Sequence, residues 1–304
     1  MSRAEPRAQA HAVNATGPKG GPPPATWWWT WGLLRSELSL TFRRWRTLAL
    51  LAVLAAVPVL VGIAVRIETR DGGTVGDGGG EGPPFITQVS NNGVFLVFTA
   101  LAVTLPIFLP MAVGVVAGDA LAGEAAAGTL RYLLVAPAGR TRLLLVKCLT
   151  SLTFSLVATV TVAVSALLTG LVLFPVGEVT LLSGTTVPFS EGLWKALVIA
   201  LVVAGSLVGF VAIALFVSSL TDSGIAAMAA TVGLLVAVQI VDSIPQLHAV
   251  HPYLFPHHWL SFGDVLREPI YWEEISKNLG LQALYLAVFG SAAWARFTSR
   301  DVTA

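Results

Sequence analysis

The residues that could do chemistry fall into two groups, and the first is a set of charges between residues 118 and 142. Asp119 and Glu124 lie near the start of this stretch, and Arg131, Arg140 and Arg142 lie further along it. None of these charges belongs to a catalytic pattern. Such a mixed polar segment suits contact with a soluble partner, although a solvated connector between two helices would contain similar residues.

The spacing within this stretch predicts a short helix followed by a turn. Glu124, Gly128 and Arg131 stand at positions i, i+4 and i+7, which share one face of a helix. Pro137 is expected to stop that helix, and Gly139 permits a turn into the next segment. We therefore expect a short helix with one charged face.

The second group combines imidazole and carboxylate side chains, namely His248, His251, His257, His258, Asp242 and Asp264. These side chains are ligands for zinc or copper. Pro252 and Pro256 interrupt the segment, so no single helix can present the histidines together. The pattern therefore favours polar side chains at a membrane interface over a metal site, and we expect no bound metal.

Several classes of enzyme are excluded by missing motifs. A phosphate-binding loop needs Gly-Lys followed by Ser or Thr, whereas the four lysines precede Gly20, Cys148, Ala196 and Asn278. Neither G-x-S-x-G nor H-E-x-x-H occurs. We expect no catalytic residue, no cofactor held by this chain and no nucleic-acid partner.

The composition indicates a membrane protein. Of the 304 residues, 55% are hydrophobic and only 12% are charged, whereas soluble domains carry about 25% charged residues. About 20 apolar residues are needed for a helix to cross a bilayer. Six segments meet this test and predict an all-α polytopic fold, with spans at about 47–65, 94–117, 143–174, 193–220, 225–241 and 279–297.

Three regions are predicted along the chain. Residues 1–26 are rich in Gly and Pro and are expected to be a disordered tail. Residues 27–46 are expected to form an amphipathic helix on the membrane surface, since Trp and Arg favour the headgroup level; its anchoring residues are Trp31, Arg35, Arg43, Arg44 and Trp45. Residues 47–304 are expected to form the transmembrane domain.

A pair of small residues occurs in the fourth predicted span. Gly205 and Gly209 form a GxxxG pair, which lets two helices approach closely in lipid. We expect a helix-packing seam here, within one chain or between two.

Charge placement predicts the orientation. If the N-terminus is cytoplasmic, 13 of the 18 basic residues fall on the cytoplasmic side. The positive-inside rule then favours a multi-pass plasma-membrane protein with both termini in the cytoplasm.

The loop after the second predicted span contains Glu124-x-x-x-Gly128-Thr129-Leu130-x-x-Leu133-Leu134-x-x-Pro137-x-x-Arg140, followed by Lys147. This run resembles the pattern of the type-2 ABC exporter permeases, roughly E-x-x-x-G-T-L-x-x-L-L-x-x-P-x-x-R-x-x-x-x-x-x-K. The surface helix, the six spans and a larger external segment before the last span resemble the same family. Ala127 departs from it, because many relatives have a basic residue there.

The resemblance implies a bacterial permease subunit without its own ATPase site. ABC ATPase subunits would bind ATP and Mg²⁺ and dock against the loop, and a second permease chain would complete a homo- or heterodimer. The residues implied to couple the permease to the ATPase are Glu124, Gly128, Thr129, Arg131, Pro137 and Arg140. Because the spans contain almost no ionisable residues, the expected substrate is apolar or amphipathic.

Two other functions remain open. One is a membrane-embedded enzyme or metal-handling protein that uses the histidine group. The other is an ABC-associated component that has no transport path.

Overall fold

The computed structural model describes residues 27–70, 89, 92–128, 139–181 and 183–299. About 82% of this part of the chain is helical. It contains nine α-helices: α1 (Trp27–Arg43), α2 (Trp45–Arg70), α3 (Phe95–Thr104), α4 (Phe108–Ala126), α5 (Arg140–Leu173), α6 (Phe189–Ser206), α7 (Val208–Leu220), α8 (Gly224–Ser243) and α9 (Trp272–Ser299). An antiparallel ribbon joins β1 (Val179–Thr180) to β2 (Thr186–Val187). The predicted tail, 1–26, lies outside the described residues.

Among the described helices, five segments are long and apolar enough to cross a membrane: Trp45–Glu68, Phe108–Ala126, Arg140–Leu173, Phe189–Leu220 and Gly224–Ser243. They coincide with or overlap the first five predicted spans. The sixth predicted span, 279–297, lies within α9 but includes Gln282 and Arg296, and α9 is not among the five. The fold is therefore that of an all-α multi-pass membrane protein.

The second predicted span, 94–117, is two helices rather than one. A break at 105–107 separates α3 from α4, and α4 continues to Ala126. Because Pro110 has no N–H, the carbonyl of Pro106 loses its helical donor. The side-chain Nε2 of Gln239 in α8 donates a hydrogen bond to that carbonyl at 2.8 Å. A neighbouring helix thus satisfies the backbone group that the proline leaves unpaired.

Gly93, in the turn just before α3, and Gly170, in α5, approach closely at one end of the bundle. A Cβ atom on either glycine would overlap the backbone carbonyl of the other. Beside this contact, the Asn92 side-chain amide donates to the carbonyls of Gly177 at 3.1 Å and Glu178 at 3.0 Å. The start of α3 is therefore fastened to the chain that leaves α5.

Residues 244–271, here called the cap, connect α8 to α9 through three short 3₁₀ helices. The cap is held by buried aromatic rings, since Phe255, Trp259 and Phe262 are all at most 2% exposed. The side-chain Nε2 of Gln282 in α9 also donates to the carbonyl of Phe255 at 2.8 Å. The cap is consequently part of the packed core.

The N-terminal helix α1 packs along the first half of α5. The rings of Phe42 and Phe154 lie 6.2 Å apart between centroids. The chain bends at Arg44 before α2 begins. Residues 27–43 are thus helical, and the placement of this helix on the membrane surface stays a prediction.

Replacing Gly170 with alanine is expected to lower the unfolding temperature of the purified chain in detergent, because the new methyl group would collide with the carbonyl of Gly93. Overpacking of this kind costs about 1–3 kcal/mol. Gly233→Ala is the control, since nothing lies within 4 Å of its Cβ position and alanine favours a helix. Equal unfolding temperatures for the two variants would contradict the close approach.

Candidate functional site

A buried lysine joins three helices at one end of the bundle. The Lys147 ammonium, in α5, donates a hydrogen bond to the Glu37 carboxylate of α1 at 2.6 Å. It donates another to the Glu124 carboxylate of α4. The three side chains are only 6%, 13% and 14% exposed for Lys147, Glu37 and Glu124 respectively. We call these three residues the charge cluster.

The three charges of the cluster stabilise one another in their buried positions. An isolated charge taken out of water costs several kcal/mol unless it is paired and hydrogen-bonded. Here each carboxylate has the same ammonium as its partner, so the loss of Lys147 would leave two acids facing each other. The ion pairs therefore position α1, α4 and α5 relative to one another.

A second acid on α4 extends the network toward α2. The Asp119 carboxylate lies 3.4 Å from Arg44 and 3.9 Å from Arg46. The two guanidinium groups are more than half exposed, whereas Asp119 is 18% exposed. Exposed pairs of this kind contribute about 0–1 kcal/mol each, so Asp119 orients the bend between α1 and α2 more than it stabilises the fold.

A cavity of about 40 Å³ lies between these charges, lined among others by Glu37, Thr41, Asp119, Glu124 and Lys147. It has room for a few water molecules at most. A nucleotide or drug-sized ligand needs about 300 Å³ or more. The charges that line the cavity are paired, so the arrangement suits a mechanical link between helices.

The prediction that Glu124 and Gly128 share one face of a short helix after the second span is wrong. The helix that carries Glu124 ends at Ala126, and Gly128 adopts the left-handed region with φ +68°. An α-helix cannot continue through that conformation, so Glu124 and Gly128 do not share one helical face. Gly139, also at φ +68°, precedes α5. Thr129, Arg131 and Pro137, which fall between these glycines, lie outside the described residues.

Arg140 fastens the start of α5 to the end of α9. Its Nη1 donates to the carbonyl of Thr298 at 2.8 Å, where a guanidinium suits the negative end of a helix. Nearby, the indole Nε1 of Trp294 donates to the Thr141 hydroxyl at 2.9 Å. The predicted coupling residues Glu124 and Arg140 thus lie at the two ends of one loop but contact different helices.

The remaining predicted residues belong to the predicted surface helix and to the glycine pair. Trp31, Arg35, Arg43, Arg44 and Trp45 are all exposed, and of these Arg44 joins the ionic network at Asp119. Gly205 and Gly209 face α9, because Cβ atoms there would meet Leu279 and Tyr285 respectively. In this structure the glycine pair lies at a seam within one chain.

The histidines are only partly brought together. His251 and His257 lie beside Asp242, whereas His258 pairs with Glu274 of α9 at 3.2 Å. Asp264 pairs instead with Arg267, three residues further along the cap.

Glu37 is the functional candidate that the sequence analysis missed. It is the only acid between residues 27 and 46, so a lone carboxylate on an otherwise basic helix was the available signal. Its partner, Lys147, is more than 100 residues away in the chain, and a contact over that separation has no local pattern.

The variant Lys147→Met is expected to lower the free energy of unfolding by about 3–5 kcal/mol, because it leaves buried carboxylates without their counterion. Unfolding in detergent measures this loss. The control Lys277→Met, at an exposed lysine that bridges Glu273 and Glu274, is expected to cost about 1 kcal/mol or less.

If Lys147→Met does not accumulate, a triple variant that adds Glu37→Gln and Glu124→Gln removes the uncompensated charge. This variant is expected to recover part of the lost stability. Losses of equal size at Lys147 and Lys277 would show that the buried cluster does not hold the helices.

Comparison with known proteins identifies a family for most of the chain. No curated protein matches this chain. A family profile described as a protein of unknown function, DUF2705, matches residues 82–303. The match begins before α3 and ends after α9, so it includes Glu124, Lys147 and the cap but not Glu37. The chain belongs to the DUF2705 family.

Proposed function

We propose that this chain is the membrane-spanning subunit of an ATP-driven exporter of the type-2 ABC class. A separate ATPase subunit binds ATP and Mg²⁺, and the permease carries an apolar or amphipathic substrate across a bacterial plasma membrane. The chain itself is then a transport subunit and not an enzyme. Five long apolar helices support the membrane part of this proposal.

The observation that carries the proposal is an ion pair between the two ends of the permease-like motif. That motif begins at Glu124 and ends at Lys147, and the two side chains are hydrogen-bonded. Glu37 joins the same ammonium from α1. A partner that pulls on the loop would therefore act on α1, α4 and α5 together.

The loop has the attachments that a docking element needs. The loop follows the end of α4 at Ala126 and reaches α5 after Gly139. Arg140, the first residue of α5, donates a hydrogen bond to the last turn of α9. Rigid helices thus flank the loop on both sides. Nucleotide binding at a docked ATPase can shift the bundle between two conformations only if the ATPase contacts the loop differently in each of them.

The proposed orientation places the loop on the cytoplasmic side. With α9 counted as the sixth span, both chain ends and the charge cluster lie on the cytoplasmic side, together with 13 of the 18 basic residues. The cap and the ribbon then lie outside. In this orientation the loop is on the side of the membrane where ATP is available.

The lipid-facing surface fits an apolar or amphipathic substrate. Two grooves of about 390 and 700 Å³ flank α5 and share Val160 and Val164. Both are lined almost entirely by apolar side chains such as Leu167, Leu197 and Leu168. Acyl chains, apolar substrates or a helix of a second permease chain would suit these surfaces.

The first test is co-purification of the tagged chain from membranes that express it natively. The wild type is expected to recover an ATP-binding subunit whose hydrolysis falls when this chain is removed. Arg131→Glu reverses the only charge between Gly128 and Gly139 and is expected to reduce that recovery at least tenfold. Lys277→Glu is the matched control, since it reverses an exposed lysine on α9.

The outcomes distinguish an exporter from an ABC-associated component without a transport path, and they can also contradict both. Recovery of an ATPase with wild type and its loss with Arg131→Glu supports docking at the loop. Recovery without movement of any lipid or amphipathic probe in reconstituted vesicles points to a component without a transport path. Failure to recover an ATP-binding chain with wild type contradicts the exporter proposal.

A further inference from the structure

Three potential metal ligands meet where the cap joins α8. Asp242 lies in the last turn of α8, and His251 and His257 lie in the cap. One ligand atom from each residue lies within 4.8 Å of the other two. The two prolines that prevent a single helix, Pro252 and Pro256, instead fold the cap into tight turns that bring the imidazoles together.

The three side chains are held in place by their surroundings. His257 Nδ1 lies 2.8 Å from the Asp242 carboxylate. His251 Nε2 lies 3.1 Å from the carbonyl oxygen of Ile244, and a backbone carbonyl of this kind commonly orients a metal-binding imidazole. The two imidazole centroids are 5.6 Å apart. The site is therefore largely formed before any ion enters.

The donor set selects a class of cation. Two imidazoles and one carboxylate suit zinc and its transition-metal neighbours, whereas Ca²⁺ and Mg²⁺ favour oxygen ligands alone. Bonds of about 2.0–2.2 Å in a tetrahedral zinc site place ligand atoms roughly 3.4 Å apart. The ligand atoms lie 2.8 Å apart in the His257–Asp242 pair and within 4.8 Å of one another overall, which is close to the spacing that a zinc ion requires.

The site is open to solvent on one side. The side chains of His257 and Asp242 are 34% and 20% exposed, which leaves an approach for the ion and a position for a water ligand. The neighbouring imidazoles are not part of the group: His258 faces Glu274, and His248 is exposed. Because the His258 ring also packs edge-on against His257, with centroids 4.9 Å apart, His248 is the better control.

We propose that Asp242, His251 and His257 bind one divalent transition cation of the zinc class and thereby fasten the cap to α8. The site is remote from the charge cluster. The N-terminal end of α8, at Gly224, lies against Asp119 and Gly123, and the rise of the helix from Gly224 places Asp242 about 27 Å away. The proposed metal binding is therefore independent of the proposed ATPase partner, and each can be tested without the other.

The test uses the purified full chain, carrying an affinity tag without histidine, treated with chelator and then titrated with Zn²⁺ by calorimetry. One ion per chain is expected to bind and to raise the unfolding temperature by several degrees. His251→Ala, His257→Ala and Asp242→Asn are each expected to weaken binding at least tenfold. His248→Ala and a titration with Mg²⁺ are the controls, and no effect of this variant and no Mg²⁺ binding are expected.

Cobalt gives a second measurement that does not depend on the variants. Co²⁺ in the wild-type site is expected to show the intense visible absorption of a four- or five-coordinate ion, and Zn²⁺ is expected to abolish it. Absence of zinc binding overturns the proposal, as does a six-coordinate cobalt spectrum. Equal losses of affinity in His257→Ala and His248→Ala also overturn it, because they would indicate adventitious binding to exposed imidazoles.

Discussion

The shared hydrogen bonds of the Lys147 ammonium are the interaction on which the rest of this end of the molecule depends. One cation satisfies two acids from two other helices, Glu37 and Glu124. Since each of the three charges would be costly to bury alone, the ion pairs hold the three helices that carry them together. The bend at Arg44, the end of α4 and the start of the loop are positioned as a consequence, and the proposed docking of an ATPase builds on that rigidity.

The opposite end of the bundle is held by buried and partly buried polar contacts, one of which is a second lysine–glutamate ion pair. Asn278 donates to the hydroxyl of Ser206 at 2.7 Å, and the largely buried Lys195 pairs with Glu268 of the cap at 3.1 Å. Together with the aromatic rings under the cap, these contacts order the segment between α8 and α9. Each end thus has a buried lysine paired with glutamate, Lys147 at the loop end and Lys195 at the cap end. The cap end adds the buried aromatic rings and the proposed metal site.

The sequence predicted the features that depend on local composition. Long apolar runs identified the spans that reappear as α2, α5, α6–α7 and α8, because burial in lipid needs an uninterrupted apolar helix. Features that depend on distant partners were missed. The break at Pro106 is stabilised by Gln239, and Glu37 acquires its role from Lys147. The end of α4 at Gly128 was also misjudged, because helical spacing alone does not reveal a left-handed glycine.

The proposed coupling of the loop to the helices through Glu124 and Lys147 is tested by a double-mutant cycle. Glu124→Gln, Lys147→Met and the double variant would be compared for unfolding in detergent and for ATP hydrolysis with the co-purified subunit. If the two residues are coupled, we expect an interaction energy of about 1–3 kcal/mol and a double variant no worse in hydrolysis than the poorer single variant. Strictly additive losses in both measurements would contradict this coupling.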